Sequence, residues 1–175
     1  MIGVLRLNHR FERDKRVSTH VFLTARALGA DLGVFTGDKD ESIINSLTET
    51  VRRWGGGFKV EYSEDYTQTI REFKNKGFKI VHLTMYGIPV KQKISELKNF
   101  KDILLIVGGA KVPREVYDLA DYNISIGSQP HSEVAALAIF LHEYYEGREL
   151  DISFPDARLV VEPQEKGKKV LKRFQ

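Results

Sequence analysis

"DILLIVGGAKVPREVYDLADYNISIG", residues 102 to 127, joins two apolar segments through a short helical stretch. Its first part, "DILLIVGG" (102–109), runs Ile103, Leu104, Leu105, Ile106, Val107 with no polar residue between them. Successive side chains of a strand point to opposite faces, so a run of this kind is buried on both. Burial on both faces belongs to a parallel sheet covered by helices. Pro113 then opens "PREVYDLA" (113–120), since the N–H that proline lacks is unused in a first helical turn, and "DYNISIG" (121–127) is the next strand. Two parallel strands need such a crossover.

The same alternation holds on either side. "IGVLRL" (2–7) reads as a buried strand, "STHVFLTARALGA" (18–30) as a helix stopped at Gly29, and "DLGVFTG" (31–37) as a second strand. "DKDESIINSLTETVRRWGGG" (38–57) places Ile43, Ile44, Leu47, Val51 and Trp54 on one helical stripe. "FKVEYS" (58–63), "EDYTQTIREFKNKG" (64–77), "FKIVHLTMYG" (78–87) and "VKQKISELKNF" (90–100) continue as strand, helix, strand, helix. A long apolar helix from about Ser132 to Tyr145 closes the series. The expected fold class is α/β, a mainly parallel sheet with helices on both faces, in one domain over 1–147. Residues 148–175 leave the alternation and read as an appendage packing on that domain, with "ARLVV" a short strand.

Composition narrows the chemistry. The chain has no cysteine, which excludes disulfides, thiolate nucleophiles and cysteine-held zinc, and its five histidines show no ligand-like spacing. No metal site is expected. No apolar run reaches membrane-spanning length and the start carries acids and bases, so the expected location is cytoplasmic. The net charge is only +3, but the bases cluster. "RLNHRFERDKR" (6–16) and "KGKKVLKRF" (166–174) are both strongly basic and would together attract a polyanion such as RNA.

Ligands of open parallel sheets gather beyond the carboxyl ends of the strands. Three such ends are unusual here: "LTMYG" (83–87), "VGGAKVP" (107–113) and "IGSQPHS" (126–132). Glycines there let a flat ligand approach the backbone, whose free N–H and C=O groups can read an adenine edge or ribose hydroxyls. Neither phosphate-binding pattern, G-x-x-x-x-G-K-[ST] nor G-x-G-x-x-G, is present. A ligand read by backbone and apolar walls, such as S-adenosyl-L-methionine, fits better than a nucleoside triphosphate. The residues alone leave open a non-catalytic RNA- or nucleotide-binding module.

The blocks "VLRLNHRFERDKRVSTHVFLTARALGA", "LTMYG", "IVGGAKVP", "IGSQPHSEVAALAIFLHE" and "ARLVVEPQEKGKKVL", in this order over nearly the whole chain, resemble the SPOUT methyltransferase superfamily, specifically its archaeal tRNA (cytidine-56)-2'-O-methyltransferases. The resemblance implies a trefoil knot over about 79–147, a homodimer with tRNA as partner, and an S-adenosyl-L-methionine pocket. That pocket would comprise Leu83, then Gly108, Gly109, Ala110, Lys111 and Val112, then Ile126, Gly127, Ser128, Gln129, Pro130, His131, Ser132 and Glu133. Another RNA position remains an alternative target. Related ribose methyltransferases use an arginine on the first helix to assist deprotonation of the 2'-hydroxyl, which makes Arg26 of "LTARALG" a candidate. Aligning the closing glycine on Gly29 puts the motif position on Leu23, so Arg16 and His20 near the start of the same helix are candidates too. Arg10, Arg13 and Lys15 are expected to hold phosphates, because contacts that position RNA need charge more than chemistry.

Overall fold

In a computed structural model that describes residues 1–109 and 111–173, six parallel strands form one sheet in the order β3-β2-β1-β5-β4-β6. They are β1 (Ile2–His9), β2 (Leu32–Gly37), β3 (Lys59–Tyr62), β4 (Lys79–Pro89), β5 (Ile103–Val107) and β6 (Tyr122–Ser125). Between them run α1 (Phe11–Ala27), α2 (Glu41–Trp54), α3 (Tyr66–Asn75), α4 (Val90–Leu97) and α5 (Arg114–Leu119), and α6 (Glu133–Tyr145) follows the last. The chain builds outward from β1 to β3, crosses to β4, and returns so that β5 fills the place between β1 and β4.

That central place is why β5 has no polar residue. Ile103, Leu105 and Val107 point into a core shared with α1, α2, α4 and α6, while Leu104 and Ile106 point into a second core with Ile70 and Phe73 of α3 and Val116 of α5. All five are buried. Each such side chain contributes about 1.5–3 kcal/mol relative to exposure, which makes this strand the most committed segment of the sheet.

Helix ends follow local chemistry, with one departure from expectation. Asp40 caps α2 by accepting from Ser42 N at 2.9 Å, and Ser132 caps α6 by accepting from Ala135 N at 3.2 Å. The first helix, expected from Ser18, begins at Phe11. Its N-cap Arg10 offers no side-chain oxygen, and Asp14, one turn inside, does the work: its carboxylate accepts from Arg10 N at 3.2 Å, from Nε at 2.8 Å and from Nη2 at 2.9 Å. Ser18 is instead buried inside the helix, 2.9 Å from His9 Nδ1.

Beyond α6, the expected strand is β7 (Leu159–Glu162), and an unexpected β8 (Lys169–Lys172) pairs with it antiparallel. This segment is tied to the end of α2, where Asp156 accepts from Gly56 N at 3.0 and 3.1 Å. Gly55 has a left-handed φ of 76°, and a Cβ there would lie 2.7 Å from Ala157 N. Only glycine permits that approach.

Two imidazoles are buried in the sheet, His9 beside Ser18 and Asp40, and His82 with Nδ1 2.9 Å from Asn123 Oδ1. Burial pushes both below the usual histidine value, against the opposing pull of Asp40 on His9 and of the Asn123 hydrogen bond on His82. The unfolded chain takes up these protons near pH ~6.5 while the folded chain does so only lower. Stability is therefore whole above that pH and falls below it. The melting temperature should drop between pH 7.5 and pH 5, with a shallower slope in His82→Gln; a flat profile in the parent protein would contradict the burial of neutral imidazoles.

Candidate active site

The carboxyl ends of β4, β5 and β6 meet around a cavity of about 370 Å³. Leu83 to Tyr86 come from β4, Val107 to Gly109 and Val112 from the end of β5, and Ile126 and Gln129 to Glu133 from the segment entering α6; His82, Tyr117 and Ala136 complete the wall. The strand order causes this convergence, since β5 and β6 both flank β4. Gly127 turns the last loop with a left-handed φ of 74°, and neither it nor Gly109 has any atom within 4 Å of where a Cβ would stand. Gly108 is the opposite case, for a Cβ there would meet Val112 Cγ2 at 2.6 Å. Gly109 and Gly127 thus border open space, whereas Gly108 is closely packed against Val112.

The loop into α6 is held by His131, whose Nε2 lies 2.6 Å from the carbonyl oxygen of Ile126. On the opposite wall Thr84 Oγ1 is 3.1 Å from Tyr117 OH, and Tyr117 stands edge-on to His82 with ring centres 4.7 Å apart. The His82 Nε2 is buried without a hydrogen-bond partner.

Ten of the residues expected to form the pocket line this cavity. Lys111, Gly127 and Ser128 belong to the same loops without lining it, and Ala110 lies outside the described residues. Sequence reasoning missed His82, Thr84, Met85, Tyr86, Val107, Tyr117 and Ala136, of which the 84–86 stretch and Val107 were signalled by their places at strand ends. It also missed Arg6, buried in β1, whose Nη2 is 3.0 Å from Glu133 Oε1 at the cavity wall. A lone charge inside "VLRL" was the available signal.

The residues of α1 separate into two groups. Arg13 and Arg16 are exposed near its start, at the carboxyl edge of the sheet, His20 is exposed at its middle, and none of the three makes an ion pair among the described residues. Lys15 lies beside them with its Nζ 5.9 Å from the Phe11 ring centre, and Arg10 grips Asp14. Arg26, by contrast, sits in the last turn, at the opposite edge of the sheet. There its Nη2 donates to Gly55 O at 2.6 Å, its guanidinium lies 4.8 Å from the centre of the Phe154 ring, and burial holds its pKa below the usual arginine value. Arg26, a candidate for assisting deprotonation of the hydroxyl, therefore lies at the edge of the sheet away from this chain's cavity. It fastens the C-terminal segment to α1 and α2.

A family model described as tRNA ribose 2'-O-methyltransferase (aTrm56) matches residues 54–171. The chain is 53% identical over 175 residues to a tRNA (cytidine(56)-2'-O)-methyltransferase of Thermococcus kodakarensis, covering 98% of this chain and 97% of the relative. It is 55% identical over 167 residues to the protein of that description from Methanopyrus kandleri, covering 95% and 94%. This chain belongs to that family. Among solved structures, the TrmH/SpoU tRNA modifying enzyme of A. aeolicus superposes with a TM-score of 0.60 at 23% identity, over 86% of this chain and 76% of the other. The SpoU methyltransferase AviRb of Streptomyces viridochromogenes, solved in complex with AdoMet, gives 0.61 at 17% identity, over 83% and 57%. These likenesses carry the α/β fold.

The cavity suits the donor of such a family. Its size falls within the range of small-molecule sites, its glycine bends leave backbone within reach, and its wall mixes apolar residues such as Leu83, Val107 and Ile126 with polar groups from Thr84, Tyr117, Gln129, His131, Ser132 and Glu133. Two substitutions separate support from chemistry. His131→Ala frees the α6 loop and should weaken cofactor affinity about tenfold, the worth of one hydrogen bond plus lost order, with kcat changed less than KM. Arg26→Ala should lower stability by ~1–3 kcal/mol and leave the rate at saturating substrate within about twofold of the parent, because the side chain faces away from the cavity. A large loss of kcat in Arg26→Ala would return it to the site.

Proposed function

We infer that the protein transfers a methyl group from S-adenosyl-L-methionine to the ribose 2'-hydroxyl of cytidine 56 of tRNA. The observation that carries this reading is the junction of two surfaces: a glycine-lined cavity, and a cationic helix start joined to its wall through Arg6 of β1, which lies 3.9 Å from Asp14 of α1 and 3.0 Å from Glu133. The bound cofactor supplies a methyl group activated by a sulfonium. The protein's share is alignment and management of the hydroxyl proton.

Backbone groups around Leu83, Gly108 and Ile126 hold the adenosyl part, with the His131 contact fixing the third loop. Arg10, Arg13 and Lys15 draw in phosphates of the tRNA. Arg16 carries a charge at neutral pH and has no lone pair to take a proton, so its part is to stabilise the 2'-oxygen as negative charge develops on it. His20, four residues on and on the same exposed face of α1, can accept the proton. In this reading residues 79–147 form the trefoil knot of the superfamily, the chain works in the cytoplasm, and two copies pair through α6. Ile139 on α6, Tyr86 at the cavity and Ile88 beyond it, exposed at 45%, 79% and 49%, are apolar surface suited to such pairing.

The test is transfer of a labelled methyl group to a defined tRNA transcript, followed by alkaline hydrolysis, which a 2'-O-methyl group blocks at one linkage. The resistant linkage is expected after position 56. Resistance elsewhere would favour another RNA target, and no transfer would favour the binding-module reading. Arg16→Ala should cut kcat by about 10²-fold or more, the scale of a lost oxyanion contact, with tRNA affinity changed less than about fivefold. An unchanged rate at saturation would remove Arg16 from the chemistry.

A further inference from the structure

Arg6 has 2% of its surface exposed and lies between two carboxylates, with its Nη2 3.0 Å from Glu133 Oε1 and 3.9 Å from Asp14 Oδ2. Its Nη1 donates to the Leu7 carbonyl at 2.5 Å, and its Nε is buried with no partner among the described residues. Asp14 in turn is gripped by Arg10, whose side chain is 56% exposed at the start of α1. The charges alternate from cavity wall to surface: Glu133, Arg6, Asp14, Arg10.

We propose that Arg6 is a positioning residue that couples the two binding sites, so that RNA engaging Arg10 changes the grip of the cavity wall on the methyl donor. The proposal rests on the cavity being the cofactor site and adds the link between it and the RNA contact.

A buried guanidinium cannot be left without a counter-charge, because an uncompensated charge in the interior costs several kcal/mol. Arg6 therefore divides its donors between Glu133 and Asp14 according to what each carboxylate can spare. With Arg10 on Asp14, both oxygens of that carboxylate are taken, Oδ2 by Nε at 2.8 Å and Oδ1 by Nη2 at 2.9 Å. Arg6 then leans on Glu133. A phosphate that draws Arg10 away frees Asp14 to take up Arg6, which loosens Glu133 and lets its carboxylate face the cavity. The donor carries a sulfonium and an ammonium, so a released carboxylate there strengthens binding. The sign of the coupling follows: tRNA tightens the hold on a cationic donor. By linkage the donor tightens tRNA equally.

Calorimetry on the whole protein reads this directly, with sinefungin as the probe because an amine replaces its sulfonium methyl and no transfer can occur. In the parent protein, saturating tRNA transcript should tighten sinefungin about fivefold or more, the lower end of ordinary coupling between sites. In Asp14→Asn the enhancement should shrink below about twofold, with sinefungin affinity in the absence of tRNA changed less than about threefold. Arg6→Lys keeps the charge without the fork and should behave likewise; if it fails to fold, Asp14→Asn decides. A purely structural Arg6 would lower the melting temperature of these variants and leave the enhancement intact, which overturns the proposal, as does a parent protein without enhancement. Absence of sinefungin binding in the parent would overturn the cofactor reading itself.

Discussion

The placement of β5 between β1 and β4 is the constraint from which the rest follows. A strand with neighbours on both edges and helices on both faces favours apolar residues, since any polar one must find a partner in the interior, and Ile103 to Val107 are all apolar and buried. Because β5 returns to a slot already bounded by β1, the strand ends on its far side, those of β4 and β6, are drawn next to its own. The ligand cavity is the space left at that convergence. The chain needs no separate device to create it, only glycines and small polar residues where the strands stop.

The same placement puts β1, and with it Arg6, beside the cavity wall. A charge inside a buried strand costs free energy unless it is paired, and here the pairing partners come from the starts of α1 and α6, the first bearing the exposed basic residues and the second entering from the cavity wall. The opposite edge of the sheet has a different task. There Arg26, Gly55, Asp156 and Phe154 lock the C-terminal segment against the ends of α1 and α2. The residues proposed to meet RNA and the anchor of the C-terminal segment thus occupy opposite ends of one helix, 17 residues long.

Much of this was legible in the chain itself. Both-face burial of β5, the stripe of α2, and the three glycine-bearing strand ends are local patterns with local causes. What was illegible has equally physical reasons. The start of α1 was placed seven residues late because Arg10 has no capping oxygen and Asp14 supplies it from within the helix, a pattern that Ser18 mimics falsely. β8 was read as a charged tail because Lys169 and Lys172 flank only two apolar residues, and its pairing with β7 decides its conformation. The distance of Arg26 from the cavity was illegible because resemblance follows order along the chain, whereas the turn of α1 on which a residue falls determines the edge of the sheet it reaches. Tyr117 gave no signal at all, since its place at the cavity depends on α5 packing beside β4.

The account stands most directly on a crystal structure of the protein with S-adenosylhomocysteine. It predicts the adenosyl group between the backbone of residues 83–86, 107–109 and 126–131, with the homocysteine end towards Glu133. Density for the nucleoside at the other large groove, between Trp54, Phe154 and Leu159, or at the edge of the sheet that holds Arg26, would contradict it.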